Sequence, residues 1–168
     1  MNLIVNADKN WGIGKNNSLL IRIPEDMKFF RRMTKGNVIV LGRRTLESFP
    51  GGTALPDRTN IVLSKKKDLK AGGATVVNDI DALFEILKEY DDDEIFVVGG
   101  ESVYRELLPY CRKAYVTRPD YAYDADAHFP NLDELENWVK TQESEEQTYF
   151  DIVYTFDVYE NNDVKDYR

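Results

Sequence analysis

The chain has 168 residues, 42% of them apolar, with ten Tyr and eight Phe, which suits one domain with a sizeable core and excludes a disordered chain. No run of about 18 apolar residues could span a membrane, and the first residues, Met1-Asn2-Leu3-Ile4-Val5-Asn6, read as a strand and not as a signal peptide. The net charge of −8 hides an asymmetry: residues 9–70 carry 14 Lys and Arg against 5 Asp and Glu, residues 119–168 carry 3 against 14, which points to a local anion site, with no nucleic-acid partner and a solvated acidic tail.

Leu3–Ala7 is the first predicted strand. A helix is predicted over 24–34, because the fixed φ and missing N–H of Pro24 suit the first helical position. At 3.6 residues per turn, Ile23, Asp26, Met27 and Phe30 share one face, while Glu25, Lys28, Arg31 and Arg32 lie toward the other. A carboxylate on a core-facing apolar stripe is costly unless it is paired, protonated or bound to a ligand. The positive end of the helix dipole would favour Glu25 as much as Asp26 and does not account for the stripe. Asp26 is therefore the leading functional candidate.

Further strands are predicted at Asn37–Leu41, Asn60–Ser64, Thr75–Val77, Ile95–Val98 and Ala114–Thr117, with helices at 43–49, 79–90 and 101–108. Asp79 is the expected N-cap of the third helix, with Ala82-Leu83-Phe84, Ile86 and Leu87 as its core stripe. Cys111 reads as a small buried filler, forbids an internal disulfide and fits a reducing cytoplasm; one Cys and one His cannot assemble a His/Cys metal site. Residues 138–143 and 149–160 read as two longer strands. The expected fold is α/β: a mostly parallel central sheet flanked by helices on both faces, with a C-terminal antiparallel hairpin, in a single domain over 1–168.

Two strand-to-helix junctions carry chemistry. Val38-Ile39-Val40-Leu41 runs into Gly42-Arg43-Arg44-Thr45, and Ile95-Phe96-Val97-Val98 runs into Gly99-Gly100-Glu101-Ser102. Glycine lets backbone approach a ligand closely, and a helix start offers unpaired N–H groups to an anion. Two such junctions suggest a pyrophosphate held between two helix ends, although neither is Gly-x-Gly-x-x-Gly. Arg43, Arg44, Ser64 and Lys65 could hold a further phosphate on the adenosine ribose, which favours NADPH over NADH.

These features belong to a longer series of ordered blocks: Trp11-Gly12-Ile13-Gly14, Ile23-Pro24-Glu25-Asp26-Met27-Lys28-Phe29-Phe30, Gly42-Arg43-Arg44-Thr45-Leu46-Glu47-Ser48, Leu55-Pro56-Asp57-Arg58-Thr59-Asn60, Val97-Val98-Gly99-Gly100-Glu101-Ser102-Val103-Tyr104 and Asp126-Ala127-His128-Phe129-Pro130. In this order and spacing they resemble dihydrofolate reductase over nearly the whole chain. The resemblance implies NADPH-dependent reduction of 7,8-dihydrofolate to tetrahydrofolate by a monomeric cytoplasmic enzyme without metal or membrane attachment. It implies that Asp26 is the active-site carboxylate that binds the pterin N3 and 2-amino group, and that Thr117 supports it. Ile4, Val5, Met27, Phe30, Phe49, Leu55 and Val98 would then contact the substrate, Tyr104 would lie near both substrate and nicotinamide, and Arg58 would clamp the glutamate carboxylate. The cofactor would meet Asn6, Ile13, Gly14, Gly42, Arg43, Arg44, Thr45, Leu63, Ser64, Lys65, Gly99, Gly100, Glu101, Ser102, Val103 and Tyr104. Gly99-Gly100 matches a family pair joined by a cis peptide, residues 8–22 match a mobile loop that closes over the nicotinamide, and His128 matches a structural position. One departure stands out. Ile21 occupies the place of a family tryptophan that helps hold an ordered water near the pterin, so the proton route is not carried over. A pterin or pyrimidine reductase of the same fold, or a non-catalytic NADPH-binding module, are the alternative readings.

Overall fold

Stretches of apolar residues without alternation demand burial on both faces, and the sheet provides it. The computed structural model describes residues 1–168. Its strands are β1 (Asn2–Asn6), β2 (Gly12–Gly14), β3 (Val38–Gly42), β4 (Thr59–Leu63), β5 (Thr75–Val77), β6 (Ile95–Gly99), β7 (Lys113–Pro119), β8 (Ala127–His128), β9 (Trp138–Glu143), β10 (Gln147–Tyr149) and β11 (Ile152–Asn161). The helices are α1 (Pro24–Thr34), α2 (Arg43–Ser48), α3 (Ile80–Leu87) and α4 (Glu101–Leu107). The main sheet runs β10-β11-β7-β1-β6-β3-β4-β5, with β9 also on β11. From β7 to β5 every pairing is parallel, while β11 is antiparallel to β7, β9 and β10.

Period-two alternation divides the buried residues between two faces. Leu3 and Val5 of β1, Val38 and Val40 of β3, and Ile95 and Val97 of β6 join Leu83 and Leu87 of α3 and Val103 and Leu107 of α4. Ile4, Ile39, Leu41 and Phe96 join Leu46 of α2, against which Phe29, Phe30 and Met33 of α1 pack. The predicted parallel strands are all present, with ends within two residues of expectation. α3 starts as predicted, with the Asp79 carboxylate accepting from Ala82 N at 2.8 Å. It ends at Leu87, three residues early. Glu89 and Tyr90 donate to carbonyls only three residues back, the tighter closure that ends many helices.

The tail differs in one respect from a plain two-strand hairpin. The predicted strand 149–160 breaks at Phe150, which has φ 54° and is 84% exposed. The chain turns there, so β10 and β9 line the same edge of β11, at Ile152–Tyr154 and Asp157–Asn161 respectively. Ser144 closes the gap between them: its N–H donates to Phe156 O at 2.9 Å and its hydroxyl accepts from Phe156 N at 2.8 Å. A second sheet, β2 with β8, was not predicted, because strands of three and two residues leave no periodic signal. Gly12 is required there. A Cβ at that position would stand 2.8 Å from Ala125 Cβ and 3.1 Å from an Asp8 carboxylate oxygen. Cys111 is fully buried with its thiol on Leu107 O, and burial pushes its pKa up, as expected of a filler.

The first and last residues meet at Asp92. Its carboxylate accepts from the Met1 ammonium at 3.1 Å, from the Tyr167 hydroxyl at 2.5 Å and from Arg168 at 3.2 Å. Burial alone would raise its pKa, but these three donors outweigh it and bring the value down to about 2. A lowered folded pKa stabilises the fold above the ordinary carboxylate range, and that contribution is lost as pH falls toward 2. Discounted for solvent screening, it is worth about 1 kcal/mol. Urea unfolding across pH should therefore show Asp92→Asn less stable than the native chain at pH 7, with the gap narrowing steadily below about pH 4. A gap independent of pH would mean that packing, not charge, holds the two ends.

Candidate active site

The C-terminal ends of parallel strands are where an open α/β sheet binds ligands, because the loops and helix starts converge there. β1, β3, β6 and β7 end side by side, and α1 begins above them. Ile23, the residue just before α1, is 1% exposed. Asp26 follows one turn later, half-buried, with both oxygens bonded. The Thr117 hydroxyl donates to Oδ1 at 2.6 Å and the Asn6 amide donates to Oδ2 at 3.0 Å. Burial raises the Asp26 pKa, and these two hydrogen bonds, Thr117 first, pull against that rise.

The apolar stripe around Asp26 faces an open cleft and not a closed core. Met27 is 40% exposed and Phe30 is half-buried. Ile4 lies on the same face of β1 as Asn6, and Phe30, Phe49, Leu55 and Val98 pack into the same cluster. Val5 departs from expectation: its side chain turns to the opposite face and joins the larger apolar core there, leaving only backbone for this cleft. Tyr104 is buried as well, and its hydroxyl donates to Ile4 O at 2.7 Å.

Arg58 lies beyond the other end of α1. Its guanidinium donates to Thr34 Oγ1 at 3.1 Å and to Pro56 O at 3.0 Å. Burial and then the nearby Arg31 lower its pKa. A guanidinium oriented by neutral oxygens beside a second cation is prepared for a carboxylate from outside. Leu55 is held beside it by Asn60, whose side chain accepts from Leu55 N and donates to Leu55 O, both at 2.9 Å.

The two glycine junctions adjoin each other. Leu41 of β3 pairs with Gly99 of β6, and the Gly99–Gly100 peptide is cis. A Cβ on Gly42 would sit 3.1 Å from Val103 Cγ2 and 3.9 Å from Gly100 N, and one on Gly99 would sit 3.2 Å from Thr45 Oγ1. Side chains at these positions would fill the space between α2 and α4. Neither helix has a side-chain cap, so both present free N–H groups. Arg43 is engaged by Glu47 at 2.9 Å, whereas Arg44 and Lys65 have no carboxylate partner. This set of donors fits an anionic dinucleotide. Leu63 ends β4 and Ser64 follows it, and the Ser64 hydroxyl accepts from Lys66 N at 3.2 Å. Glu101 points elsewhere than the sequence suggests, accepting from His128 N at 2.9 Å and so tying α4 to β8. Ser102 is exposed beside it. Ile13 and Gly14 sit in β2, at the root of the 8–22 loop, and Asn17 reaches across to donate to Arg44 O at 2.9 Å.

Sequence reasoning missed what fixes that root. The Asp8 carboxylate, almost fully buried, accepts from the N–H groups of Asn10, Gly12 and Tyr123. Arg118 stacks on the Trp11 ring at 3.9 Å and donates to Asp8 O at 3.1 Å. The acid followed by Asn10 and Gly12 is the only local signal, an Asx-type turn. A hollow of about 310 Å³ behind Phe29, Met33, Tyr115 and Phe156 contains none of the predicted site residues.

Comparison with known proteins agrees with this geometry. The dihydrofolate reductase family model matches residues 1–161. Dihydrofolate reductase of Staphylococcus haemolyticus is 36% identical over 159 residues, covering 90% of this chain and 93% of its own length. That of Bacillus subtilis (strain 168) is 37% identical over 148 residues, covering 88% and 84%. Among solved structures, dihydrofolate reductase from Enterococcus faecalis complexed with NADP(H) and RAB-propyl superposes with a TM-score of 0.86 at 30% identity, over 96% of each chain. On the family match, these relatives and the shared fold, the chain belongs to the dihydrofolate reductase family.

Proposed function

We propose that the cleft reduces 7,8-dihydrofolate to 5,6,7,8-tetrahydrofolate, with Asp26 as the group that binds and orients the pterin. As a member of its family the protein is an NADPH-dependent oxidoreductase. The observation that carries the assignment of Asp26 is its half-buried carboxylate, bonded on both oxygens and set beside two glycine turns suited to phosphate. A pterin presents N3–H and its 2-amino group side by side, and an ionised carboxylate accepts both in parallel. NADPH, when bound, supplies hydride from nicotinamide C4 to pterin C6, and a proton from water completes the reduction at N5. The charge of Asp26 favours the protonated pterin, more strongly in a partly dry cleft than in water. Thr117 holds the carboxylate while it does so.

The remaining groups align the reactants. Ile4, Phe30, Phe49, Leu55 and Val98 wall the rings, Met27 covers the rim, and Arg58 takes the substrate's glutamate carboxylate. Gly42, Thr45, Gly99 and Gly100 allow the pyrophosphate to approach the starts of α2 and α4, and Arg44, Ser64 and Lys65 receive the ribose phosphate. Residues 15–22, largely exposed beyond the Asp8 anchor, act as the closing segment. No helix is long and apolar enough to cross a membrane. A cytoplasmic monomer is the form we assign, consistent with a single buried thiol.

Asp26→Asn should lower dihydrofolate turnover at least about 100-fold while leaving NADPH affinity unchanged. Burial makes the folded protein bind the Asp26 proton more tightly than the unfolded chain does, so the ionised group costs stability at neutral pH. Thermal unfolding of Asp26→Asn at pH 7 should accordingly be retained or raised. Unimpaired turnover would remove Asp26 from this role. Arg58→Ala should raise the KM for dihydrofolate by about 10-fold or more, the worth of a charge-assisted hydrogen-bond pair, with little change in kcat and none for a pterin lacking the glutamate tail. Equal losses with both substrates would dismiss the clamp.

A further inference from the structure

Asn6 and Thr117 are direct neighbours in the parallel pairing of β1 with β7. In that register their side chains emerge on the same face, and each takes a different oxygen of Asp26, at 3.0 Å and 2.6 Å. The terminal torsion of an aspartate is broad, so one donor leaves the carboxylate free to turn. Two donors from adjacent strands fix its plane. A carboxylate has about four acceptor positions. With one on each oxygen taken by the protein, one on each oxygen remains, the number and spacing that a pair of adjacent N–H donors requires. Ile21, the half-buried residue leading into α1, adds no polar group.

We propose that Asn6 is a positioning residue for Asp26, fixing the carboxylate in the orientation that receives the pterin's two N–H donors. The proposal rests on the reading of Asp26 given above, and it moves Asn6 from the cofactor side of the site to the substrate side. An amide that donates to a carboxylate also favours its ionised form. Loss of Asn6 should therefore raise the pH at which Asp26 protonates, and the change should depend on Asp26 being an acid. Asn6 makes no other side-chain hydrogen bond, so its replacement breaks no second contact.

The test is carboxyl-carbon NMR titration of Asp26 in the native chain, in Asn6→Leu, which keeps the branched shape without the donor, and in Asn6→Ala. The expected result is an upward shift of about one pH unit in both variants, since a hydrogen bond to a charged group is worth at least about one such unit. The KM for dihydrofolate should rise, because a carboxylate held by one donor is free to turn away from the pterin's N–H pair, with NADPH affinity unchanged. In an Asp26→Asn background, adding Asn6→Leu should cause no further loss. An unmoved titration, or a loss of NADPH affinity equal to the loss for dihydrofolate, would overturn the proposal and return Asn6 to the cofactor side. The titration reads the carboxylate whatever the substrate is. An unmoved titration alongside a damaging Asp26→Asn would sink only the role of Asn6, while a shifted titration alongside a harmless Asp26→Asn would sink the function assigned to the acid.

Discussion

A carboxylate half sunk in an apolar cleft persists in a fold only when its oxygens are bonded, and Asp26 is bonded on both because β1 and β7 lie side by side in parallel. The pairing supplies three things together. It puts two donors on one face at one level of the sheet. It brings the ends of β1 and β7 under the first turn of α1. It also leaves the other face of β1 to carry Leu3 and Val5 into the larger apolar core. A slip of one residue would exchange those faces, carrying the donors into the apolar layer and Val5 toward the acid. The core and the site thus share a single register, and the cost of burying a charge is offset by the same strands whose apolar faces build the core.

What the sequence made legible followed from short-range patterns. Val38–Leu41 and Ile95–Val97 have no polar residue to expose, so they had to be central strands. Pro24 and Asp79 mark helix starts through mechanisms confined to one turn, and Gly42 and Gly99 mark places where a Cβ would crowd its neighbours. Asp26 was conspicuous because its helical face could be read from spacing alone. The hidden features are long-range. The bond from Asn6 to Asp26 depends on packing α1 over β1, which no window of sequence contains. The side to which Val5 points required the strand's phase against its neighbours. Phe150 looks like a strand residue, and only the competition between β9 and β10 for the same edge of β11 explains why the chain turns there.

The loop that precedes α1 is built in two parts with different holds on the body. Its root is fastened by Asp8, which satisfies three backbone donors, and by Arg118 stacked on Trp11. Beyond Gly14 the chain has one antiparallel contact, Lys15 with Ser18, and otherwise reaches the body through Lys15 to Asp124, Asn16 to Asp126 and Asn17 to Arg44. These are exposed bonds of small individual worth. The division lets the outer part shift while the root keeps β2 and β8 in place. It also places the link to Arg44, which adjoins one glycine turn, on the part free to move.

The position of β1 has a kinetic consequence. Its two neighbours are β6 and β7, and Asn2 lies opposite Phe96 on one side and Lys113 on the other. Nothing in the first ninety or so residues can satisfy its backbone groups within this sheet. Until β6 and β7 dock, an apolar strand with two unpaired edges must wait, and contacts of such long separation are the slowest to close. The strand that organises the native cleft is therefore the one most exposed to mispairing with another chain during folding. Yield on refolding should be governed by protein concentration more than by the stability of the finished sheet.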